Sequence, residues 1–289
     1  MLGDYLEYWF ENIFSPRIET TTRMVGAYTL YNLILPSMEA DIKLKYISVE
    51  YLDALLERVA KICPSAGNKG RELLSIAMKD AAGDKFISYN PMPETKPYPR
   101  AKPKVRVLSK EKLKVFLEAA SKNPWYLEIL LGLFCGLRKG EILGLKFQDF
   151  DFEKQTVTIS KSYQRIKGRD VITDPKTPKS NRVIQMPAFL CDEMQDYIKS
   201  LYAVQPTDRI FTVTKSYLHR EMDRGCKQTG VKRIRIHDLR HSHISLLIDM
   251  GFTALAIAER VGHESIDITY RYAHLFPTRQ VEMADKLDS

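Results

Sequence analysis

A proline-rich, basic stretch limits what this chain can fold into. Residues 90–107 read "NPMPETKPYPRAKPKVRV". Proline lacks a backbone N–H and fixes φ, so no helix can continue through this segment, and its charges favour an extended, solvated chain. The sequence therefore predicts three parts: a domain over residues 1–92, a linker over 93–107 and a second domain over 108–289.

Residues before the linker have the apolar spacing of helices. "LGDYLEYWFENIF" repeats apolar side chains at helical period, and "TTTRMVGAYTLYNLILP" begins with threonines that could cap a helix ending at Pro36. Ser48 precedes the amphipathic segment "VEYLDALLERVAKI", and "GNKGRELLSIAMKDAAG" ends at Gly83. We predict a bundle of about four helices here.

The second domain mixes helices with strands. "LSKEKLKVFLEAASK" has a serine cap and helical period, and "WYLEILLGLFCGLRKGEILGLK" reads as a buried helix, a glycine turn and another helix. The segments "QTVTISKSYQ", "DVITDP" and "NRVIQMP" alternate as strands do, and the chain after Pro187 is helical again. The predicted fold is mainly α with a small antiparallel sheet, in which the second domain is a mixed α/β domain.

Composition excludes several classes of protein. No apolar run is long enough to span a bilayer, and the acidic N-terminus does not resemble a secretory signal, so we expect a cytoplasmic protein without a membrane partner. The four cysteines are far apart, which argues against a zinc ribbon or a disulfide framework. The net charge of the chain is +8. The local clusters of basic residues either attract phosphate groups or are ordinary solvated surface.

The segment "RIHDLRHSH" carries the first candidate site residues. His237 and Arg240 share one face if the segment is helical, and an arginine beside a histidine suits a phosphate. A zinc site is the alternative, because His237 and His241 have the spacing of zinc ligands. The later "HESID" begins like HExxH, but Asp267 replaces its second histidine. Taken alone, these residues could also be structural.

Two further segments offer polar side chains near turns. In "CGLRKGEILGL", Arg138 follows a glycine turn, and Glu141, three residues later, could hold the guanidinium from behind. In "TDPKTPKSNRVIQMP", Lys176 lies in a polar turn between strands and could deliver a proton to a leaving oxygen. A surface Arg–Glu pair and a loop lysine remain the alternatives for each segment by itself.

Taken in their order along the chain, these sequence motifs resemble those of the tyrosine recombinase/integrase family. "GLRKGE", "HDLRH" and "GHESIDITYRYAH" carry the resemblance, which covers about 180 residues, and the helical first domain resembles that family's core-binding domain. The resemblance implies a site-specific recombinase that cleaves and rejoins DNA through a 3′-phosphotyrosine. The implied catalytic residues are Arg138, Lys176, His237, Arg240, His263 and Tyr272.

The resemblance also implies a role for each residue. Tyr272 lies nine positions after His263, as in the family pattern, so it is the expected nucleophile and Tyr270 is expected to pack. Two residues on a helix differ by about 200°, so both tyrosines cannot face one phosphate. The resemblance assigns Arg138, Arg240 and His263 to binding the phosphate. It assigns His237 to assisting the phenol and Lys176 to protonating the leaving oxygen. Glu141 is expected to support Arg138. No metal or cofactor is implied.

Double-stranded DNA is the expected partner. The protein is expected to bind it as a homotetramer in which a C-terminal helix within "PTRQVEMADKLDS" is exchanged between protomers. An accessory DNA-bending protein is a further possible partner. The candidate DNA contacts are Lys69, Arg71 and Lys79 on one helix and Lys102, Lys104 and Arg106 in the linker. Integration and excision of a mobile element is the favoured role, with chromosome-dimer resolution and a non-catalytic DNA-binding regulator as alternatives. The arm-binding domain of larger integrases is not visible in this sequence, whether by nature or by truncation.

Overall fold

A computed structural model describes residues 1–39, 42–99, 107–121, 123, 125–166, 168–175 and 177–272. Its internal contacts divide the chain into two compact units, Met1–Pro103 and Lys104–Ser289. The division falls inside the stretch predicted as a linker. Among the described residues, no helix is both long and apolar enough to cross a bilayer.

The first unit is helical. Its α-helices are α1 (Leu2–Trp9), α2 (Thr20–Thr29), α3 (Val49–Ile62) and α4 (Pro64–Gly83). Ser48 caps α3 as predicted, because its hydroxyl accepts a hydrogen bond from the Tyr51 N–H at 3.3 Å. The predicted threonine cap is not formed, since α2 begins at Thr20 without a side-chain cap. Leu52, Leu55 and Leu56 bury one face of α3 in the core of this unit.

The helices α1 and α2 end in the same unusual way. Each runs into one π-helical turn, Phe10–Phe14 or Leu30–Ile34, and then into a 3₁₀ turn that contains a proline. Pro16 and Pro36 cannot donate to the carbonyl four residues earlier, so the regular hydrogen-bond ladder stops there. The two prolines therefore set where these helices end.

The first part of the predicted linker packs against the first unit at some of its residues. Thr95 is buried, and the Arg71 guanidinium donates to its hydroxyl at 3.0 Å and to the carbonyls of Met92 and Thr95 at 3.2 Å. The Lys96 N–H donates to Asp53 Oδ1 at 2.9 Å. Prolines prevent a helix here but not packing, so these residues belong to the first unit.

The second unit holds eight α-helices within the described residues. They are α5 (Lys110–Ala120), α6 (Tyr126–Phe134), α7 (Lys139–Gly144), α8 (Ala188–Lys199), α9 (Lys215–Thr229), α10 (Ile236–Asp249), α11 (Ala254–Val261) and α12 (Ile266–Tyr270). Ser109 caps α5 as predicted, accepting from the Lys112 N–H at 3.4 Å. The helix α6 is apolar on nearly every side because it lies inside the unit, against α7, α8 and α10.

The strands form a sheet and a separate hairpin. An antiparallel sheet has the order β1 (Phe150–Asp151), β2 (Thr156–Ile159), β5 (Arg182–Gln185). The hairpin pairs β3 (Ser162–Ile166) with β4 (Arg169–Thr173). Val157 opposes Ile184 across the sheet, and both side chains are buried in the core. The mainly α fold with small antiparallel sheets agrees with the sequence prediction.

Several predicted residues lie outside the described part of the chain. They are Lys176, Lys102, Lys104, Arg106 and the predicted C-terminal helix.

Candidate active site

A glycine turn between α6 and α7 positions Arg138. Gly136 has φ of +65°, and a Cβ there would lie 2.6 Å from the His243 ring. Arg138 then occupies the N-cap of α7. Its guanidinium donates to Glu141 Oε1 at 2.7 Å and to the Gly262 carbonyl at 2.9 Å. Its backbone N–H donates to Glu141 Oε2 at 2.8 Å. The side chain is 36% exposed, so this guanidinium remains reachable by a ligand.

Glu141 joins two arginines. Besides Arg138, it accepts hydrogen bonds from Arg182 at 2.9 and 3.3 Å, and its side chain is only 5% exposed. Burial alone would raise the pKa of Glu141, but the hydrogen bonds and charges of Arg182 and Arg138 outweigh it and hold the pKa below its usual value. Glu141 is therefore ionised, and it fixes both guanidinium groups.

Arg240 lies on α10 and is almost fully buried. Its two terminal nitrogens donate at 2.6 Å to the carbonyls of Gly136 and Val261. Burial, followed by the charge of Arg138, lowers the pKa of Arg240, although a guanidinium stays charged near neutral pH. Arg138 and Arg240 thus both bind the carbonyls at the end of α11, and Arg240 also binds the turn before α7.

His263 follows a second glycine turn. Gly262 ends α11 with φ of +64°, where a Cβ would lie 2.8 Å from the Lys179 carbonyl. The buried His263 shares a hydrogen bond of 2.7 Å between its Nδ1 and the Thr269 hydroxyl. Burial, followed by the charges of Arg240, Arg138 and Arg182, lowers the pKa of His263 to about 3. The ring is neutral at physiological pH.

Tyr272 follows α12 and is 4% exposed. It packs with Ile244, Ile248, Ile257 and Val261, and its phenol oxygen is hydrogen bonded to His241 Nδ1. Burial raises the pKa of Tyr272 to about 12, against the lowering effect of Arg240 and Arg271. The phenol is therefore protonated near neutral pH and needs an acceptor to react as a nucleophile.

Tyr270 differs from the sequence prediction. We expected it to pack, but it is 53% exposed, because its position on α12 turns it away from the core that buries Tyr272. The prediction that the two tyrosines face different ways agrees with the structure, but the packing role assigned to Tyr270 is wrong.

His237 and His241 are one turn apart on α10, with ring centroids 4.7 Å apart. His237 is exposed when the whole residue is considered. The protein nevertheless desolvates its imidazole, and this effect, followed by the charges of His241 and Arg240, lowers the pKa of His237 to about 4. The sequence interpretation assigned the phenol to His237. In this structure the hydrogen bond to the phenol is made by His241 instead.

Sequence reasoning missed two arginines beside the site. Arg182 on β5 pairs with Glu141 and also donates to the Arg260 carbonyl at 3.1 Å. Arg260 donates to the carbonyls of Phe134 and Gln185 at 3.0 and 3.1 Å. The local signal for Arg182 is its place at the start of the strand-like segment "NRVIQMP", but nothing local indicates its partner 41 residues earlier.

The charge around these groups is strongly positive. Arg138, Arg182, Arg240 and Arg260 approach one another at the ends of α6 and α11, where Glu141 is the carboxylate that binds two of them. Such a surplus of guanidinium groups suits a phosphate. Within the described residues no group of three or more potential metal ligands occurs.

The predicted DNA contacts of the first unit lie on α4. Lys69 and Lys79 are exposed, so their ammonium groups can reach a ligand. Arg71 is partly buried and already makes three internal hydrogen bonds to Thr95 and Met92. Its guanidinium is directed into the protein rather than toward solvent.

Comparisons with known proteins show which family the second unit resembles. The family model described as the phage integrase family matches residues 106–279. The ICEBs1 integrase of Bacillus subtilis (strain 168) is 29% identical over 231 residues, covering 74% of this chain and 63% of the relative. A putative prophage phiRv2 integrase of Mycobacterium tuberculosis is 25% identical over 291 residues, covering 98% of this chain and 76% of the relative.

A solved structure has the same fold. The Tn1549 transposon integrase in complex with a circular intermediate DNA superposes with a TM-score of 0.83 at 18% identity, covering 99% of this chain and 97% of that one. The matched part of this chain spans less than two thirds of the ICEBs1 integrase.

Proposed function

We propose, from the premise that the chain belongs to the phage integrase family, that it is a site-specific tyrosine recombinase that integrates and excises a mobile element. One observation carries the proposal. Arg138 and Arg240 bind backbone carbonyls at the same end of α11, and the residue after Arg240 is hydrogen bonded to the Tyr272 phenol. Guanidinium groups and a candidate nucleophile therefore meet at one place in the fold.

The arginines would hold the scissile phosphate. Each of Arg138 and Arg240 uses two terminal nitrogens for protein acceptors, and a guanidinium has five N–H donors. The remaining N–H groups can bind nonbridging phosphate oxygens and stabilise the charge that grows during attack. Glu141 and the carbonyls of Gly136, Val261 and Gly262 fix the guanidinium planes beforehand, so little reorganisation is needed.

Tyr272 would attack the phosphorus through its phenol oxygen. The new bond joins that oxygen to phosphorus, and the bond from phosphorus to the 5′ oxygen breaks. His241 Nδ1 receives the phenol proton, because it already holds the hydroxyl, and the 5′ oxygen takes a proton from Lys176, the acid that the family resemblance implies. A 5′ hydroxyl of the partner strand then reverses these steps and releases Tyr272. The bonds exchanged are alike, so no external energy source is needed.

Double-stranded DNA is the proposed substrate. Solved structures with this fold include complexes with DNA, such as the Tn1549 transposon integrase with a circular intermediate DNA. Lys69 and Lys79 on α4 are exposed and suit backbone phosphates, as do the predicted linker contacts Lys102, Lys104 and Arg106. We leave Arg71 out of this set, since its guanidinium is already bound internally. Assembly as a homotetramer through the C-terminal helix, with a DNA-bending protein as accessory, completes the proposal.

The proposed function can be tested by looking for the excised form of the mobile element. Outward-directed amplification from the DNA that flanks the gene should detect an excised circle, whose junction defines the recombination site. A nicked duplex of that junction should then trap the protein covalently on a 3′ phosphate. Binding without a covalent product would favour a DNA-binding regulator, and trapping only on a chromosomal dimer-resolution site would favour the other recombinase role.

A further inference from the structure

A second group of basic side chains includes the residue that follows Arg138. Lys139 follows it directly, and the Lys139 ammonium lies 3.5 Å from Nε2 of His219. Lys215 and His219 are four residues apart on α9 and therefore share one face of that helix. Three basic side chains from two helices thus lie near one another, and Lys139 is the chain neighbour of the residue that would hold the scissile phosphate.

The ammonium groups of Lys139 and Lys215 repel each other. Burial, followed by the charge of Lys215, lowers the pKa of Lys139 to about 8. Burial, followed by the charges of Lys139 and Lys215, likewise lowers the pKa of His219, with Arg233 adding to the effect and Asp223 opposing it. Lys139 is partly buried and Lys215 is exposed, and like charges held close together are unfavourable unless an anion joins them.

No carboxylate among the described residues forms an ion pair with Lys139 or Lys215. The acid that faces His219 is Asp223, and it is held by Arg233 through a hydrogen bond of 2.6 Å. The contrast with the neighbouring site is informative, because there Glu141 compensates Arg138 and Arg182. An anionic ligand beside Lys139 would therefore be stabilised by positive charge that the described carboxylates do not compensate.

We propose that Lys139, Lys215 and His219 form a second phosphate-binding subsite, which holds a backbone phosphate next to the scissile one. The proposal rests on the proposed function, since Arg138 defines which phosphate is scissile. Contacts of this kind fix the register of the DNA strand on the protein without reading its sequence. Free inorganic phosphate shares the same chemistry, so the experiment has to distinguish the two sources.

His219 is a built-in reporter of the subsite. The experiment uses Tyr272→Phe protein, which cannot form an adduct. The pKa of His219 is measured by NMR in the free protein, in the presence of inorganic phosphate and in the presence of a short duplex. We expect the duplex to raise this pKa, because a bound phosphate offsets the charges of Lys139 and Lys215. In a Lys139→Gln/Lys215→Gln variant the duplex should cause no rise. A His219 pKa that stays unchanged on the bound duplex would overturn the proposal, and a rise with inorganic phosphate alone would restrict the subsite to the free ion.

DNA affinity gives an independent readout. Replacing Lys139 and Lys215 by Gln should weaken duplex binding about tenfold or more and reduce the slope of log K against log salt by about 0.9 for each lost phosphate contact. Lys199→Gln is the control, because Lys199 is 72% exposed and lies on α8. One methylphosphonate next to the scissile position should weaken wild-type binding and leave the double variant unaffected.

The two possible failures are distinguishable. If wild-type protein binds DNA but forms no adduct, the proposed strand transfer fails and the phosphate subsite can still be supported by these binding measurements. If the double variant matches Lys199→Gln in both affinity and salt slope, the subsite is refuted whether or not cleavage occurs.

Discussion

The phenol oxygen of Tyr272 is hydrogen bonded to Nδ1 of His241, the residue that directly follows Arg240. Successive residues of a helix point about 100° apart. α10 therefore directs Arg240 toward the carbonyls of Gly136 and Val261 and directs His241 toward the phenol. One helix thus fixes both a phosphate-binding group and the partner of the nucleophile.

Replacing this histidine tests which imidazole assists the phenol. We expect His241→Gln to slow single-turnover cleavage by about 10²-fold or more, the usual size of a general-base effect. His237→Gln, one turn away on the same helix, is the matched comparison and should cost less. A large loss in His237→Gln with less than a tenfold loss in His241→Gln would make His237 the base and the observed hydrogen bond a resting contact.

The pH dependence of cleavage should follow His241. Burial lowers the pKa of His241 below its ordinary 6.5, against the opposing charge of Asp238, so the ring is neutral and able to accept a proton near pH 7. We expect the single-turnover rate to be level just above neutrality and to fall as the pH drops through the His241 pKa, below 6.5. A rate that instead rises tenfold for each pH unit up to the alkaline range would indicate that the phenolate must form first.

Changing Arg138 to lysine separates charge from geometry. Lysine keeps the positive charge but cannot bind Glu141, the Gly262 carbonyl and a phosphate with one rigid group. We expect Arg138→Lys to lower the cleavage rate by about 10²- to 10³-fold while DNA affinity stays nearly unchanged. Arg224→Lys is the control, because Arg224 is half exposed and pairs with Glu221, and equal rates for the two variants would contradict the phosphate role of Arg138.

Gly262 and Gly230 form a matched pair for testing the turn before His263. Both have φ near +65°, but a Cβ at Gly262 would meet the Lys179 carbonyl at 2.8 Å, while nothing lies within 4 Å at Gly230. Gly230→Ala should cost about 1–2 kcal/mol of unfolding free energy for the left-handed backbone alone. Gly262→Ala should cost at least about 1 kcal/mol more because of the clash. Denaturant unfolding checks this, and equal losses would mean that the turn can relax.

The local parts of the site were readable from sequence. Arg138 and Glu141, and His237 and Arg240, are three residues apart, so helical spacing alone predicts their shared faces. The helices and the small antiparallel sheet follow likewise from capping residues and apolar periodicity, since these depend on neighbours in the chain.

The long-range parts were not readable. Arg138 binds the carbonyl of Gly262, 124 residues later, and Arg182 binds Glu141 across 41 residues. The choice of His241 over His237 as partner of Tyr272 depends on how Tyr272, after α12, packs against Ile244 and Ile248 of α10. The contact of Thr95 with Arg71 is likewise a tertiary one. Such pairings are decided by tertiary packing, which no local pattern encodes.

The most direct measurement is the identity of the residue that becomes attached to DNA. Wild-type protein trapped on a nicked duplex of its recombination site is digested, and the peptide carrying the 3′ phosphate is sequenced by mass spectrometry, with Tyr272→Phe and Tyr270→Phe treated alongside. We expect the nucleotide on Tyr272, an undiminished adduct in Tyr270→Phe, and DNA binding without any adduct in Tyr272→Phe. An adduct that persists in Tyr272→Phe would contradict the assignment of the nucleophile and the mechanism built on it.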